Sequence, residues 1–324
     1  MAVLTITGAD LRIRLTRAEK VGGLLRDLTI PLETITAIRR PAAAFDVVRG
    51  LRSPGFQLPW STRIGTWRRL SGRTYAVARR TEPALHLRLA GPGLTDVVVT
   101  SPDADAWADE LRAALATLGM DAVVERDVTV PGAGIALAGT VAEGVAAPRA
   151  VALILPGSGP VDRDADHPAI PLGVSRDLAH ALARLGVRSF RYDKRGVGGS
   201  GGDRWSAGLS DQTADAAAAL DALVAEGLPT FLLGHSEGGM IAEAVAAGRD
   251  DLAGVVLLAA PAATGEETMA WQTRQIADAL PAFARTVVKL LRVDVVAQQA
   301  KSVAAVKATT TDVARIKGAK INAK

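Results

Sequence analysis

Residues 230–247 read TFLLGHSEGGMIAEAVAA. Thr230–Leu233 is a short apolar run stopped by glycine, which is how a buried strand ends. The apolar segment after Gly239 reads as a helix. Between them, Gly234-His235-Ser236-Glu237-Gly238 leaves room only for a sharp turn. Side chains two residues either side of the serine would collide there, so glycine is needed at both places. The bend forces Ser236 into a strained backbone conformation and lifts its hydroxyl above the sheet edge. The helix behind it aims N–H groups at the same point, and Glu237 supplies the first of them. Ser236 is therefore the candidate nucleophile, and the Glu237 N–H is a candidate donor to an oxyanion. His235 adjoins the serine but falls on the wrong side of the turn to act as its base, and it reads as structural.

Working outward, strand and helix alternate. Val128–Val130 and Ile135–Val141 read as a pair of strands, and Ala150–Leu155 as a buried strand. Ser175 caps a helix carrying Leu178, Leu182 and Leu185, with Gly186 as its stop. Val187–Tyr192 is a strand. A helix capped by Ser210 runs to Glu226, and Gly254–Ala259 is a further strand. This alternation calls for a mostly parallel sheet with right-handed crossovers. Residues 265–324 read as helices only.

A second backbone donor should come from the loop after an earlier strand. Leu155-Pro156-Gly157-Ser158-Gly159-Pro160 occupies that place, and its glycines let a peptide approach a substrate closely. Ser158 is the candidate donor, with Gly157 next to it. Arg163 has two readings. It could hold a substrate carboxylate, or it could pair with neighbouring aspartates to stiffen the loop, which is the plainer reading. Asp193, Lys194 and Arg195 end a strand and are read as loop-fixing charges.

The strings LPGSGPVDRD (155–164), FRYDKRGVGGS (190–200) and LLGHSEGGMIA (232–242) occur in the right order at compatible spacing. Together they resemble an esterase branch of the α/β-hydrolase superfamily, close to dienelactone-hydrolase-like and S33-peptidase-like enzymes. The resemblance implies hydrolysis of a small carboxylic ester or acyl substrate through an acyl-enzyme, with no cofactor and no metal. It also implies a chain order of Ser, then acid, then His.

This sequence departs from that order. Its four histidines are His86, His167, His180 and His235, so none follows Ser236. Asp278, Asp294 and Asp312 lie in helical stretches. The expectation is that residues 265–324 form a helical cap, that the chain ends inside it, and that the chain has little activity by itself. The rival expectation is a non-catalytic binding protein on the same fold. A third reading keeps the enzyme but makes the substrate a thioester or a peptide.

Residues 1–118 have a different rhythm. Val3–Thr7, Leu11–Leu15, Leu28–Ile30, Ile35–Arg39, Thr74–Ala78, Leu85–Leu89 and Val97–Thr100 alternate in short segments punctuated by Gly and Pro. A helix from Pro102 to Leu118 carries Trp107, Leu111, Ala114, Leu115 and Leu118 on one face, and Gly119 ends it. A small antiparallel barrel or sandwich plugged by one helix is expected. IPLETITAIRR (30–40), GLRSPGFQLPWSTRIGTWRR (50–69) and the closing helix resemble bacterial pleckstrin-homology-like domains. Trp60 and Trp67 are expected to pack. The domain boundaries read 1–118 and 127–324.

Hydrophobic residues make up 48% of the chain, enough for a folded core. With no cysteine, disulfides, thiolate metal sites and a cysteine nucleophile are excluded. Residues 1–118 hold 17 Lys and Arg against 11 Asp and Glu, while the remainder is slightly acidic. A basic first domain could meet an anionic membrane surface, but arginines scattered over a solvated face are the plainer reading. No basic helix or aromatic stripe marks nucleic acid. The N-terminus lacks a basic segment followed by an apolar one, and the longest apolar run, 252–263, is too short to span a bilayer. A soluble cytoplasmic protein is expected.

Overall fold

The computed structural model describes every residue except 71, 168–171, 291–293, 317–318 and 323–324. The chain divides into two compact units. One comprises residues 1–128, 140–151 and 177–190, and the other residues 129–139, 152–176 and 191–324.

The first unit opens with β1 (Val3–Thr7), β2 (Asp10–Arg14), α1 (Arg17–Gly23) and β3 (Leu28–Pro31). Then come β4 (Ile35–Arg40), α2 (Ala44–Val47), β5 (Leu51–Leu58), β6 (Thr62–Arg69) and β7 (Gly72–Arg79). β8 (Ala84–Leu89), β9 (Leu94–Thr100) and α3 (Ala104–Thr117) complete this stretch. β1, β2 and β3 make a three-stranded antiparallel sheet, and the others are ordered β4-β8-β9-β7-β6-β5. Apolar side chains of both sheets meet in one core. Leu11, Ile13 and Ile30 pack with Ile38, Val77, Leu85 and Val97, and with Ala104, Ala108, Leu111 and Leu115 of α3. These four α3 residues follow helical spacing, which explains why the helix buries one face here.

Several details differ from the sequence expectation. β7 and β9 pair in parallel, so the sheet is not wholly antiparallel. β5 and β6 are full strands of eight residues each, although Pro54, Gly55 and Pro59 interrupt any alternation. Gly55 and Gly65 face each other across them at a register shift, with φ of +152° and +145°. A Cβ at Gly65 would lie 2.5 Å from the Gly55 Cα, so this close approach needs glycine on both strands. Trp67 is buried beneath α2, but Trp60, in the β5–β6 turn, is 74% exposed.

β10 (Val123–Pro131) and β11 (Ala136–Gly144) come next, then β12 (Ala150–Leu155), α4 (Val174–Arg184) and β13 (Val187–Tyr192). In the first unit Val123–Arg126 of β10 pairs in parallel with Ala37–Arg40 of β4. Residues 123–126, which fall between the two expected domains, are thus strand. Buried Glu125 receives Arg39 Nε at 2.7 Å and lies 3.0 Å from His180 Nε2. Buried Glu143 is gripped by Arg112 Nη1 and Arg188 Nε, each at 2.5 Å.

The second unit continues with α5 (Leu209–Val224), β14 (Thr230–His235), α6 (Glu237–Ala246) and β15 (Gly254–Leu258). The strands β10 to β15 follow the order β15-β14-β12-β13-β11-β10. β12 lies between β14 and β13, so the chain winds first to one side of it and then to the other. Open α/β sheets place their ligand crevice at the carboxyl ends of the strands beside such a reversal. α4 and α5 start at Val174 and Leu209, one residue before the serines expected to cap them. At α5 the Gly208 N–H instead donates to the Asp211 carboxylate at 2.8 Å.

Beyond β15 lie α7 (Gly265–Ala279), α8 (Ala282–Leu290) and α9 (Val295–Ala308). The expectation of helices throughout 265–324 gives way at β16 (Val313–Ile316) and β17 (Ala319–Asn322), which pair antiparallel. The alternation of Val313 and Arg315 with Ala314 and Ile316 suits a strand as well as a helix, and four residues are too few for period to choose. No helix among the described residues is long and apolar enough to cross a membrane.

Candidate active site

β14 carries the chain into the bend through buried Leu232, Leu233 and Gly234. Ser236 then takes φ +53° and ψ −118°, a conformation a side-chain-bearing residue rarely adopts. It is held from both sides. The Ser236 N–H donates to the Leu258 carbonyl at 2.9 Å, and the Ser236 carbonyl accepts from the Gly239 N–H at 2.8 Å. Ser236 is neither buried nor fully exposed.

The glycines leave no room for anything larger. A Cβ at Gly234 would lie 2.2 Å from the Gly238 carbonyl oxygen, and one at Gly238 would lie 2.4 Å from that of Leu155. The elbow is thereby packed against the end of β12. A Cβ at Gly157 would lie 3.1 Å from His235 Nδ1 and 3.5 Å from Ser236 Cβ. The loop carrying Gly157 and Ser158 therefore passes within touching distance of the serine, with Ser158 on its exposed side. Glu237 opens α6, so its N–H is one of the helix's unsatisfied donors.

Arg163 is engaged by Asp193. Its Nε and Nη2 donate to the two carboxylate oxygens at 3.0 and 2.8 Å, and its backbone N–H reaches Oδ1 at 2.8 Å. Its Nη1 donates to the Gly139 carbonyl at 2.7 Å. Asp193 also accepts from the Gly199 N–H at 2.8 Å. Burial alone would raise the Asp193 pKa, but the Arg163 hydrogen bonds, the Gly199 N–H and the Arg163 charge outweigh it and hold the carboxyl below its ordinary value. The arginine braces the loop, as in the plainer of its two readings, but through Asp193 and not through its sequence neighbours. Asp162 turns inward to accept the N–H groups of Asp164 and Asp166 at 2.9 and 3.0 Å. Burial pushes its pKa up, those two N–H groups oppose the rise, and the charges of Asp164 and Asp166 add to it.

Sequence reasoning gave Lys194 no part at the elbow. Its ammonium lies 2.7 Å from Glu237 Oε1 and is nearly buried, tying the end of β13 to the residue after the nucleophile. Arg195 is likewise paired, with Asp215 at 2.9 and 2.6 Å. A charged triplet closing a buried strand was the available signal, but nothing in the sequence names its partners. A cleft of about 680 Å³ opens here, lined by Gly159, Pro160, Lys194, Trp205, Glu237 and Met240 among others. The Arg204 guanidinium stacks over Trp205 at 4.5 Å from the ring centre.

Of the four histidines, His86 pairs with Asp96 at 2.8 Å and His180 lies against Glu125. His235 faces Gly157. Among the described residues no three His, Cys, Asp or Glu side chains converge as a metal site.

The family model for serine aminopeptidase, S33, matches residues 172–322, under half of the chain. No curated protein matches. Among solved structures, an esterase from Pyrococcus furiosus is 21% identical, with 51% of this chain and 60% of that one covered and a TM-score of 0.39. A proline iminopeptidase from Mycobacterium smegmatis is 19% identical, with 54% and 59% covered and a TM-score of 0.38. An α/β hydrolase from a Penicillium species is 21% identical, with 47% and 54% covered and a TM-score of 0.35. The chain spans less than two thirds of the length of each. The reversed strand order around β12 and the strained serine between β14 and α6 give a mixed α/β architecture consistent with the α/β-hydrolase fold.

Proposed function

We propose that this protein is a serine hydrolase that cleaves carboxylic esters through an acyl-enzyme on Ser236. The observation that carries the reading is the backbone of Ser236, held at positive φ between a buried strand and a helix N-terminus. Such strain persists only where the surroundings over-determine it, and it gathers at functional sites. In the proposed reaction the serine oxygen attacks the ester carbonyl. The N–H groups of Glu237 and Ser158 receive the developing oxyanion, and Gly157 gives the substrate close access. The cleft beside Glu237 and Trp205 takes the acyl or alcohol group. Arg163 keeps the neighbouring loop in shape.

Serine needs a base, and a carboxylate to orient that base. No histidine follows Ser236 in these 324 residues. The reading assigns Ser236 as nucleophile and the Glu237 and Ser158 N–H groups as oxyanion donors, and assigns no residue as base or acid. Oxyanion stabilisation and binding alone leave about 10³–10⁴-fold acceleration over water. The partial match to the serine aminopeptidase model favours a peptide as the second substrate class.

A fluorophosphonate probe tests the proposal. Slow labelling of the chain is expected, and none of Ser236→Ala. Equal labelling of both would move the nucleophile elsewhere. No labelling of the unaltered chain on long incubation would leave a binding protein as the better account.

A further inference from the structure

Between Asp46 and Glu82 the chain holds eight arginines and no acidic residue. Strand pairing gathers part of this charge. Arg68 of β6 lies opposite Leu51 of β5 on one side and Arg73 of β7 on the other. Residues directly paired across strands share a face, so Leu51, Arg68 and Arg73 form one row. Arg49 and Arg52 flank Leu51 in sequence, and Leu70 lies at the turn between β6 and β7. Leu51 is 79% exposed and Leu70 wholly so, and Arg49, Arg52, Arg68 and Arg73 are all exposed.

Of the acids bounding this run, Asp96, Glu19 and Glu82 are paired, and Asp46 stands exposed three residues before Arg49. Asp96 receives His86 at 2.8 Å and Arg69 at 3.4 Å. On the far side of the strands, Glu19 and Glu82 pair with Arg79 at 2.9 and 3.6 Å. Arg63 is turned away, donating to the Phe45 and Val48 carbonyls at 3.1 and 2.6 Å. Among the described residues, Arg49, Arg52, Arg68 and Arg73 make no salt bridge.

We propose that this end of the β5–β6–β7 sheet docks on an anionic bilayer surface, with Arg49, Arg52, Arg68 and Arg73 on lipid phosphates and Leu51 and Leu70 at the acyl boundary. Charge complementarity selects an anionic partner. The two projecting leucines favour a bilayer, because they add nothing on the phosphates of a duplex, and a single strand prefers aromatic platforms beside the cations, whereas Trp60 stands at the opposite end of the strands. The surface belongs wholly to the first unit and does not depend on the hydrolase reading.

Co-sedimentation of the full chain with vesicles tests this, using phosphatidylcholine alone and phosphatidylcholine mixed with phosphatidylglycerol. Binding is expected only to the mixed vesicles, weakening with salt. The R68E/R73E variant should lose at least about five-fold per arginine removed, and L51S/L70S should bind more weakly at unchanged charge. R12E/R14E, the same charge change on exposed β2 positions, should bind like the unaltered protein, and circular dichroism of every variant should match it. The inference is overturned by equal binding to both vesicle types, by no binding to either, or by equal loss in R12E/R14E. Binding to a DNA oligomer without binding to vesicles would overturn it as well.

Discussion

At the scale of single residues, the elbow is a problem of space before it is one of chemistry. Gly238 has the Leu155 carbonyl where a side chain would start. Gly238→Ala should therefore cost about 1–3 kcal/mol, as overpacked positions do, and should abolish probe labelling even where the protein still folds. Chemical denaturation and labelling, measured together, check this, and a variant with normal stability and normal labelling would contradict it. Asp193 gives a second test. Its carboxyl is buried and held below its ordinary value of 3.8 once the Arg163 bonds outweigh desolvation. A depressed carboxylate contributes stability that is present above its unfolded value and is lost as pH falls through its folded value. The thermal-midpoint advantage of the unaltered protein over Asp193→Asn should thus be full at neutral pH and shrink under acid, below the ordinary carboxylate range. A gap constant down to strong acid would rule this out. Arg163→Ala leaves the carboxylate buried without its partner and should cost about 3–5 kcal/mol.

At the scale of elements, legibility followed local pattern. β12 and β13 were readable to the residue because short apolar runs bounded by turns have few alternatives. The elbow was readable because glycine spacing and the flanking run types constrain one another. β5 and β6 were not, since Pro54 and Gly55 sit inside a ladder and the close approach to Gly65 exists only once the strands pair. The partners of Lys194 and Arg163 were hidden for the same reason, as both lie 30 or more residues away in sequence. β15 is an element with a liability. Among the described residues it ends its sheet and pairs only with β14, and Val255, Val256 and Leu257 are about 40% exposed. An apolar edge of this kind recruits other strands. Val256→Lys should reduce concentration-dependent light scattering, and unchanged scattering would show that the edge is not what associates.

At the scale of the molecule, charge is unevenly shared. The excess of base lies in the first 118 residues, and strand pairing concentrates part of it at one end of a sheet. Buried Glu125 is held by Arg39 and His180, and buried Glu143 by Arg112 and Arg188, all drawn from distant segments of the first unit. Glu125→Ala should lower stability by about 3–5 kcal/mol, because Arg39 is left facing a dry gap, and a denaturant midpoint shift far below that would show that water reaches the site. The parallel ladder of residues 37–40 with 123–126 has a practical meaning for anyone dividing this gene. A cut that seems natural near residue 120 would strip β10 of its neighbour and leave a raw selvage along the remaining piece. The opening segment is dovetailed into β10, and a shortened version beginning at residue 127 would sever that strand midway instead of yielding a clean module.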